Sequence, residues 1–209
     1  YRPKTKGHPM QIRKSAQAIR EAKRPVICCG GGVVLSNARE EMAAFARKSG
    51  MPIVSTMMGI GVMPMHDPLY LGMIGKFGRS YANRAVGEAD LILLCGARVG
   101  DRAIAVPNQI AEQAKVIHID IDPAEIGKNM ETHIPLVGDA RLILGQLLER
   151  IGELRFDGWF DELRHPAPAE AHPRLDDGVS PKAVISVLCE RAADNSVIVA
   201  DVGQNQIWT

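Results

Sequence analysis

The sequence predicts an α/β fold built on a doubly wound, mostly parallel sheet of about six strands with helices on its faces. Leu91-Ile-Leu-Leu-Cys95 and Val116-Ile-His-Ile-Asp-Ile121 are strand-length runs separated by a helix-length segment. That is the pattern of a strand–helix–strand crossover in a buried parallel sheet. Ligands of such sheets bind just past the carboxyl ends of the strands, where Gly96, Arg98, Asp120 and Glu125 fall. Composition agrees, since 46% apolar residues with only 4% aromatics suits a sheet core of Val, Ile and Leu.

From the amino end, Ile12, Ala16, Ile19 and Ala22 recur at helical spacing, so residues 9–23 form an amphipathic helix. Pro25-Val-Ile-Cys-Cys29 is the first strand, ended by Gly30-Gly31-Gly32. Ser36 is expected to cap a helix running to Lys48 and stopped by Gly50. Met51–Ser55 is the second strand, leading into Thr56-Met-Met-Gly59-Ile-Gly61. Val62–Phe77, rich in Met, Pro and Gly and without period, is expected to be a binding loop.

Ala82–Val86 is a short helix before the strand Leu91–Cys95, and Ala103–Gln113 is another before Val116–Ile121. Asp122-Pro123-Ala124-Glu125 has the form of a capping box with proline in the first turn, so a helix is expected there. Ile134–Val137 is a short strand, and Asp139 opens a helix to Ile151. The result is one Rossmann-like layer sandwich over residues 1–152. Residues 153–179 form a linker, within which Phe156–Leu163 is a candidate helix and His165–Gly178 holds three prolines. A second α/β domain opens at 180–209, with a helix starting at Ser180-Pro181 and a strand Ser196–Ala200.

Net charge is +1, which gives no electrostatic case for nucleic acid or an anionic membrane as partner. No apolar run approaches the ~20 residues that span a bilayer. The chain opens Tyr1-Arg-Pro-Lys without an initiating Met or a secretory leader, so a segment of a longer cytoplasmic protein is expected. Cys28, Cys29, Cys95 and Cys189 lack metal-ligand spacing and are expected to be reduced.

The residues with chemistry sit at strand ends. Gly30-Gly31-Gly32 lets the backbone approach a ligand and offers amides to it, or simply makes a tight turn; Leu35 stands where a dinucleotide fingerprint has its third glycine. Asp120 can accept hydrogen bonds from both ribose hydroxyls. Asp122 is expected to be a helix cap. Arg98 and Arg102 can pair with phosphates or with surface acids. His118, Asp120 and Asp122 share a strand face, but no second cluster completes a metal site, and His118 is expected to pack under the helix layer. No nucleophile–base pair is visible, so no catalytic or metal-ligating residue is assigned.

Several segments together carry a family resemblance. Lys6-Gly-His-Pro-Met-Gln-Ile12, Arg24-Pro-Val26 with Gly30–Gly32, Thr56-Met-Met-Gly-Ile-Gly61, Gly72-Met-Ile-Gly75, Tyr81-Ala-Asn83, Gly96-Ala-Arg98, Asp101-Arg102 and His118-Ile-Asp-Ile-Asp-Pro-Ala-Glu-Ile-Gly-Lys-Asn129 resemble the central domain of acetolactate synthase large subunits. The last is the most specific. Asp201-Val-Gly-Gln-Asn-Gln-Ile-Trp208 resembles the opening of that family's third, thiamine pyrophosphate-binding domain.

The resemblance implies a parent enzyme that uses thiamine diphosphate and Mg2+. It would decarboxylate pyruvate and join the two-carbon unit to a second 2-oxo acid, in branched-chain amino-acid biosynthesis. It also implies a homo-oligomeric flavoprotein whose central domain holds FAD in a structural role. Position by position, FAD would lie along Gly30, Gly31, Gly32, Thr56, Met57, Met58, Ile74, Gly75, Lys76 and Phe77. Gly96, Arg98, Arg102, Asp120, Ile121, Glu125, Gly138 and Asp139 would complete the set, while Val202, Gly203 and Gln204 would touch thiamine diphosphate. The family's catalytic glutamate and metal-binding acid match nothing here, so this segment alone is expected to be non-catalytic. Phe77 replaces a family His, Val99 and Gly100 replace Phe and an acid, and Asn205 replaces a His. Three other readings stay open: a diverged carboligase holding ADP or no nucleotide, a free-standing dinucleotide-binding module, and a scaffold that braces neighbouring domains.

Overall fold

The structure, a computed structural model, describes residues 3–100, 103–104, 107–164, 180–193, 196–203 and 205. The chain divides into two compact units, Tyr1–His165 and Pro166–Thr209.

The first unit begins with α1 (Pro9–Glu21), β1 (Pro25–Cys29), α2 (Gly31–Leu35), α3 (Arg39–Ser49) and β2 (Ile53–Ser55). A 3-10 turn (Met57–Gly59), β3 (Tyr70–Met73), α4 (Ser80–Gly87) and β4 (Leu91–Cys95) follow. The unit closes with α5 (Pro107–Gln113), β5 (Lys115–Asp120), β6 (Ile134–Val137), α6 (Ala140–Leu148) and α7 (Asp157–Arg164). All strand pairs are parallel, in a six-stranded sheet of order β3-β2-β1-β4-β5-β6. Strand order therefore reverses between β1 and β4, the point where such sheets open a crevice.

Alternation explains why the central strands read as continuous apolar runs. Ile27, Cys29, Leu91, Leu93, Ile117 and Ile119 face one core with Ile12, Phe45 and Leu147 from α1, α3 and α6. Val26, Cys28, Ile92, Leu94 and Val116 face the other, with Ala82 from α4 and Trp159 and Leu163 from α7. Both faces of β1 and β4 are covered, so no polar residue has a place in them. At α7 the Trp159 indole is 4% exposed and donates to the Pro25 carbonyl at 3.2 Å.

Several local expectations are corrected. Ser36 caps no helix start; its hydroxyl donates to the Gly32 carbonyl and ends α2, and α3 begins after Ala38. The Val62–Phe77 segment contains β3, which among the described residues pairs with β2 alone and forms an edge of the sheet. Ala103 and Ile104, expected to open a helix, lie in a turn after Gly100, and α5 is described from Pro107. Asp122–Glu125 forms a turn instead of a helix: Asp122 Oδ1 accepts from the Ala124 amide at 2.9 Å, and Glu125 N bonds Asp122 O.

In the second unit, α8 (Pro181–Arg191) is capped by Ser180, whose Oγ accepts from the Ala183 amide at 3.3 Å. Residues 196–200, expected as a strand, pair with no strand among the described residues. An apolar run becomes a strand only when a ladder partner takes its amides, and Val197 and Val199 stand in solvent. The proline-rich stretch 165–178 lies outside the described residues.

Candidate functional site

The carboxyl edge of the sheet is knit into one shelf by its own backbone. The first amide beyond a strand donates to a carbonyl at the end of a neighbour, the last one in four cases and the last but one at β5 for Gly96: Ile74 to Ser55, Thr56 to Cys29, Gly30 to Cys95, Gly96 to Ile119 and Gly138 to Asp120, at 2.8–3.0 Å. The loops after β1, β2, β3, β4 and β6, each carrying expected site residues, are therefore registered against a neighbouring strand. Such loops keep their spacing without a ligand to order them.

At the switch point the glycines meet each other. Gly32 N donates to the Gly96 carbonyl at 2.9 Å, and a Cβ on Gly30 would lie 2.4 Å from that same oxygen. Gly96 has φ +55°, a left-handed conformation that glycine adopts without cost. The expectation that Gly30 and Gly32 offer their amides to a ligand is corrected, because Cys95 and Gly96 already take them. Gly31 faces Met58, with 3.2 Å between a built Cβ and the Met58 Cβ.

Around this seam the side chains are open. Met57, Met58 and Phe77 are 51%, 74% and 54% exposed, and Lys76 is exposed beside Phe77, its Nζ 5.6 Å from the ring centroid. Thr56 is half-buried, while Ile74 is buried in the core and can meet a ligand only through its backbone. Across the switch point, the Arg98 side chain is 83% exposed, with Nε 3.9 Å from Glu125 Oε2. Glu125 is largely buried and pairs with Lys128 at 2.9 Å. Asp120 Oδ1 accepts from the Asp122 amide at 2.9 Å, and a carboxylate retains further acceptor capacity. Ile121 is exposed, and Asp139 caps α6 through the Leu142 amide at 3.1 Å.

The edge thus brings together every expected site residue of the first unit that is described. Arg102 and Gln204 lie outside the described residues. Val202 and Gly203 belong to the second unit and are exposed.

His118 is 2% exposed, packed beside the Ala97 backbone. Burial lowers its pKa below the ordinary 6.5 against the pull of Asp120. It is a core residue, as its apolar strand neighbours imply. Burial also pushes the Cys28 thiol up to about 12 and raises Cys29 and Cys95, so these sulfurs are neutral and unreactive. Among the described residues no group of three His, Cys, Asp or Glu could hold a metal ion, and no helix is long and apolar enough to cross a membrane.

Two asparagines that sequence reasoning left unassigned hold the loops. Asn129 Nδ2 donates to the Val99 carbonyl at 2.8 Å, tying the turn after β5 to the loop after β4. Asn83 on α4 holds both backbone groups of Gly75. Their only sequence signal is a polar amide within a motif, with no indication of its partner.

Residues 12–147 match a family described as thiamine pyrophosphate enzyme, central domain. The whole chain is similar to a probable acetolactate synthase large subunit of Methanocaldococcus jannaschii, at 42% identity, covering 37% of that protein. It is 40% identical to an acetolactate synthase of Arthrospira platensis and 38% identical to one of Mycobacterium bovis, covering 38% and 35% of each. The chain spans less than two fifths of the length of these relatives.

Proposed function

This chain belongs to the thiamine pyrophosphate enzyme family, whose central domain it carries, and we propose that it is a segment of an acetolactate synthase large subunit. The full-length similarity to proteins of that name, at 36–42% identity, supports the reading. The parent enzyme would decarboxylate pyruvate and transfer the two-carbon unit to a second 2-oxo acid, in branched-chain amino-acid biosynthesis. Thiamine diphosphate, with Mg2+, supplies the electron sink for the carbanion when bound. The parent would be a cytoplasmic homo-oligomer. Its catalytic groups would lie on other parts of the chain, which leaves this segment alone inactive.

The part we assign to the first unit is to hold FAD along the carboxyl edge. The geometry that carries this is the shelf itself: an acid as the last residue of β5, an exposed arginine at the switch point, and exposed apolar and cationic side chains past β2 and β3. Asp120 would accept from the ribose hydroxyls, Arg98 would face the pyrophosphate, and Met57, Met58 and Phe77 would cover the flavin ring. The glycines fit a different role from the expected one, since their absent side chains admit the neighbouring backbone. Val202, Gly203 and Gln204 are proposed to meet thiamine diphosphate.

A second reading, a diverged relative holding ADP or no nucleotide, draws on the engagement of the Gly30 and Gly32 amides. Assay of the full-length protein with pyruvate, thiamine diphosphate, Mg2+ and FAD tests the activity. Formation of acetolactate is expected, and pyruvate decarboxylated without carboligation would contradict the assignment.

A further inference from the structure

The segment joining β3 to α4 is folded more tightly than a connection of its length needs. Gly78 N donates to the Gly75 carbonyl and Arg79 N to the Met73 carbonyl, both at 2.9 Å, so a β-turn sits inside a wider closed loop. Lys76 and Phe77 are the two corner residues of that turn, and both point into solvent. Gly75 has φ +109°, a conformation that other residues rarely hold.

Asn83 fixes this unusual peptide from outside. The Gly75 amide donates to Asn83 Oδ1 at 2.8 Å, and Asn83 Nδ2 donates to the Gly75 carbonyl at 2.9 Å. One side-chain amide therefore pairs with both backbone groups of one residue, as a neighbouring strand would. Asn83 lies in the first turn of α4, where its own amide donates to the Arg79 carbonyl at 3.0 Å. It is exposed, and asparagine is a poor helix former. Neither core packing nor helix stability accounts for it there. What the two bonds secure is the direction in which Lys76 and Phe77 are presented.

We propose that Asn83 is a positioning residue for the flavin end of the bound dinucleotide, acting through the Gly75–Gly78 turn; the inference rests on the reading of this edge as a FAD site. The ends of β3 and β5 are four strand spacings apart, about 19 Å at the usual inter-strand distance. A ligand anchored at Asp120 reaches the turn only if it is an extended dinucleotide. ADP anchored there stops short. Asn83 therefore governs affinity for FAD and leaves affinity for ADP alone.

The test is titration of the chain and its Asn83→Leu and Asn83→Asp variants with FAD and with ADP, alongside amide hydrogen exchange over residues 74–78. Leucine removes both bonds, and aspartate turns a carboxylate toward the Gly75 carbonyl. If unclamping leaves the turn competent about a tenth of the time, the apparent Kd for FAD rises roughly tenfold. The Kd for ADP should stay within about twofold, and exchange at 74–78 should quicken. FAD affinity unchanged in both variants, or FAD and ADP affinity lost together, overturns the proposal. An unsubstituted chain that binds ADP but no FAD overturns the flavin reading and this proposal with it. That failure is distinguishable because it precedes any substitution.

Discussion

Gly32 and Gly96 approach so closely that a Cβ built on either lies 2.6 Å from the other's Cα, while Gly32 N donates to Gly96 O. This contact closes the seam between β1 and β4 at the switch point. Gly32→Ala forces backbone apart on both sides, and the expected loss is about 3 kcal/mol, the upper end for overpacking. Gly145→Ala in α6 meets open space and is expected to gain about 0.5–1 kcal/mol through chain entropy. Urea unfolding of the two variants checks both signs.

Thiol chemistry separates the cysteines. Cys28, Cys29 and Cys95 are buried with raised pKa values, whereas Cys189 is exposed. Native protein at pH 8 is expected to react with a thiol reagent at Cys189 alone, and at all four cysteines once unfolded. Mass spectrometry of the labelled peptides reads the outcome directly.

His118 makes stability pH-dependent in a definite direction. Its folded pKa lies below the ordinary 6.5, so the unfolded chain takes up this proton first as pH falls. The stability it secures is complete above 6.5 and is lost below it, with a slope of at most about 1.4 kcal/mol per pH unit. His118→Gln should unfold with a shallower pH dependence between 7 and 5. An identical slope in the two proteins would assign the acid sensitivity to other groups.

Trp159 fastens α7 to the start of β1. Trp159→Ala removes a buried ring and is expected to cost about 3–5 kcal/mol. Trp159→Phe keeps the packing, leaves the Pro25 carbonyl unmet, and should cost about 1 kcal/mol. Thermal unfolding distinguishes the two, and losses below about 0.5 kcal/mol would mark α7 as a surface appendage.

Most of the sheet was legible because β1 and β4 are buried on both faces and consist of apolar residues throughout, while β5 carries its apolar residues in a buried centre between a polar start and a polar end. The caps at Asp139 and Ser180 were legible because their side chains accept from amides three residues on. β3 was not, since Tyr70-Leu-Gly-Met is a half-covered edge strand interrupted by a glycine. Asp122-Pro-Ala-Glu125 carries helix-start chemistry without an apolar face behind it, and Gly127 turns at φ +75° before a helix can grow. The expectation of a candidate site at this edge rests on strand ends and glycines. Which amides those glycines keep free depends on Gly32 meeting Gly96, a contact between residues distant in sequence.

Whether the carboxyl edge holds a flavin dinucleotide is decided by titrating the chain with FAD, ADP and NAD, read by flavin fluorescence and thermal shift. Saturable stabilisation by FAD that Asp120→Ala abolishes is expected; at a hundred times Kd the gain would be about 2.7 kcal/mol. Stabilisation by NAD without FAD, or by FAD undiminished in Asp120→Ala, would contradict the flavin reading.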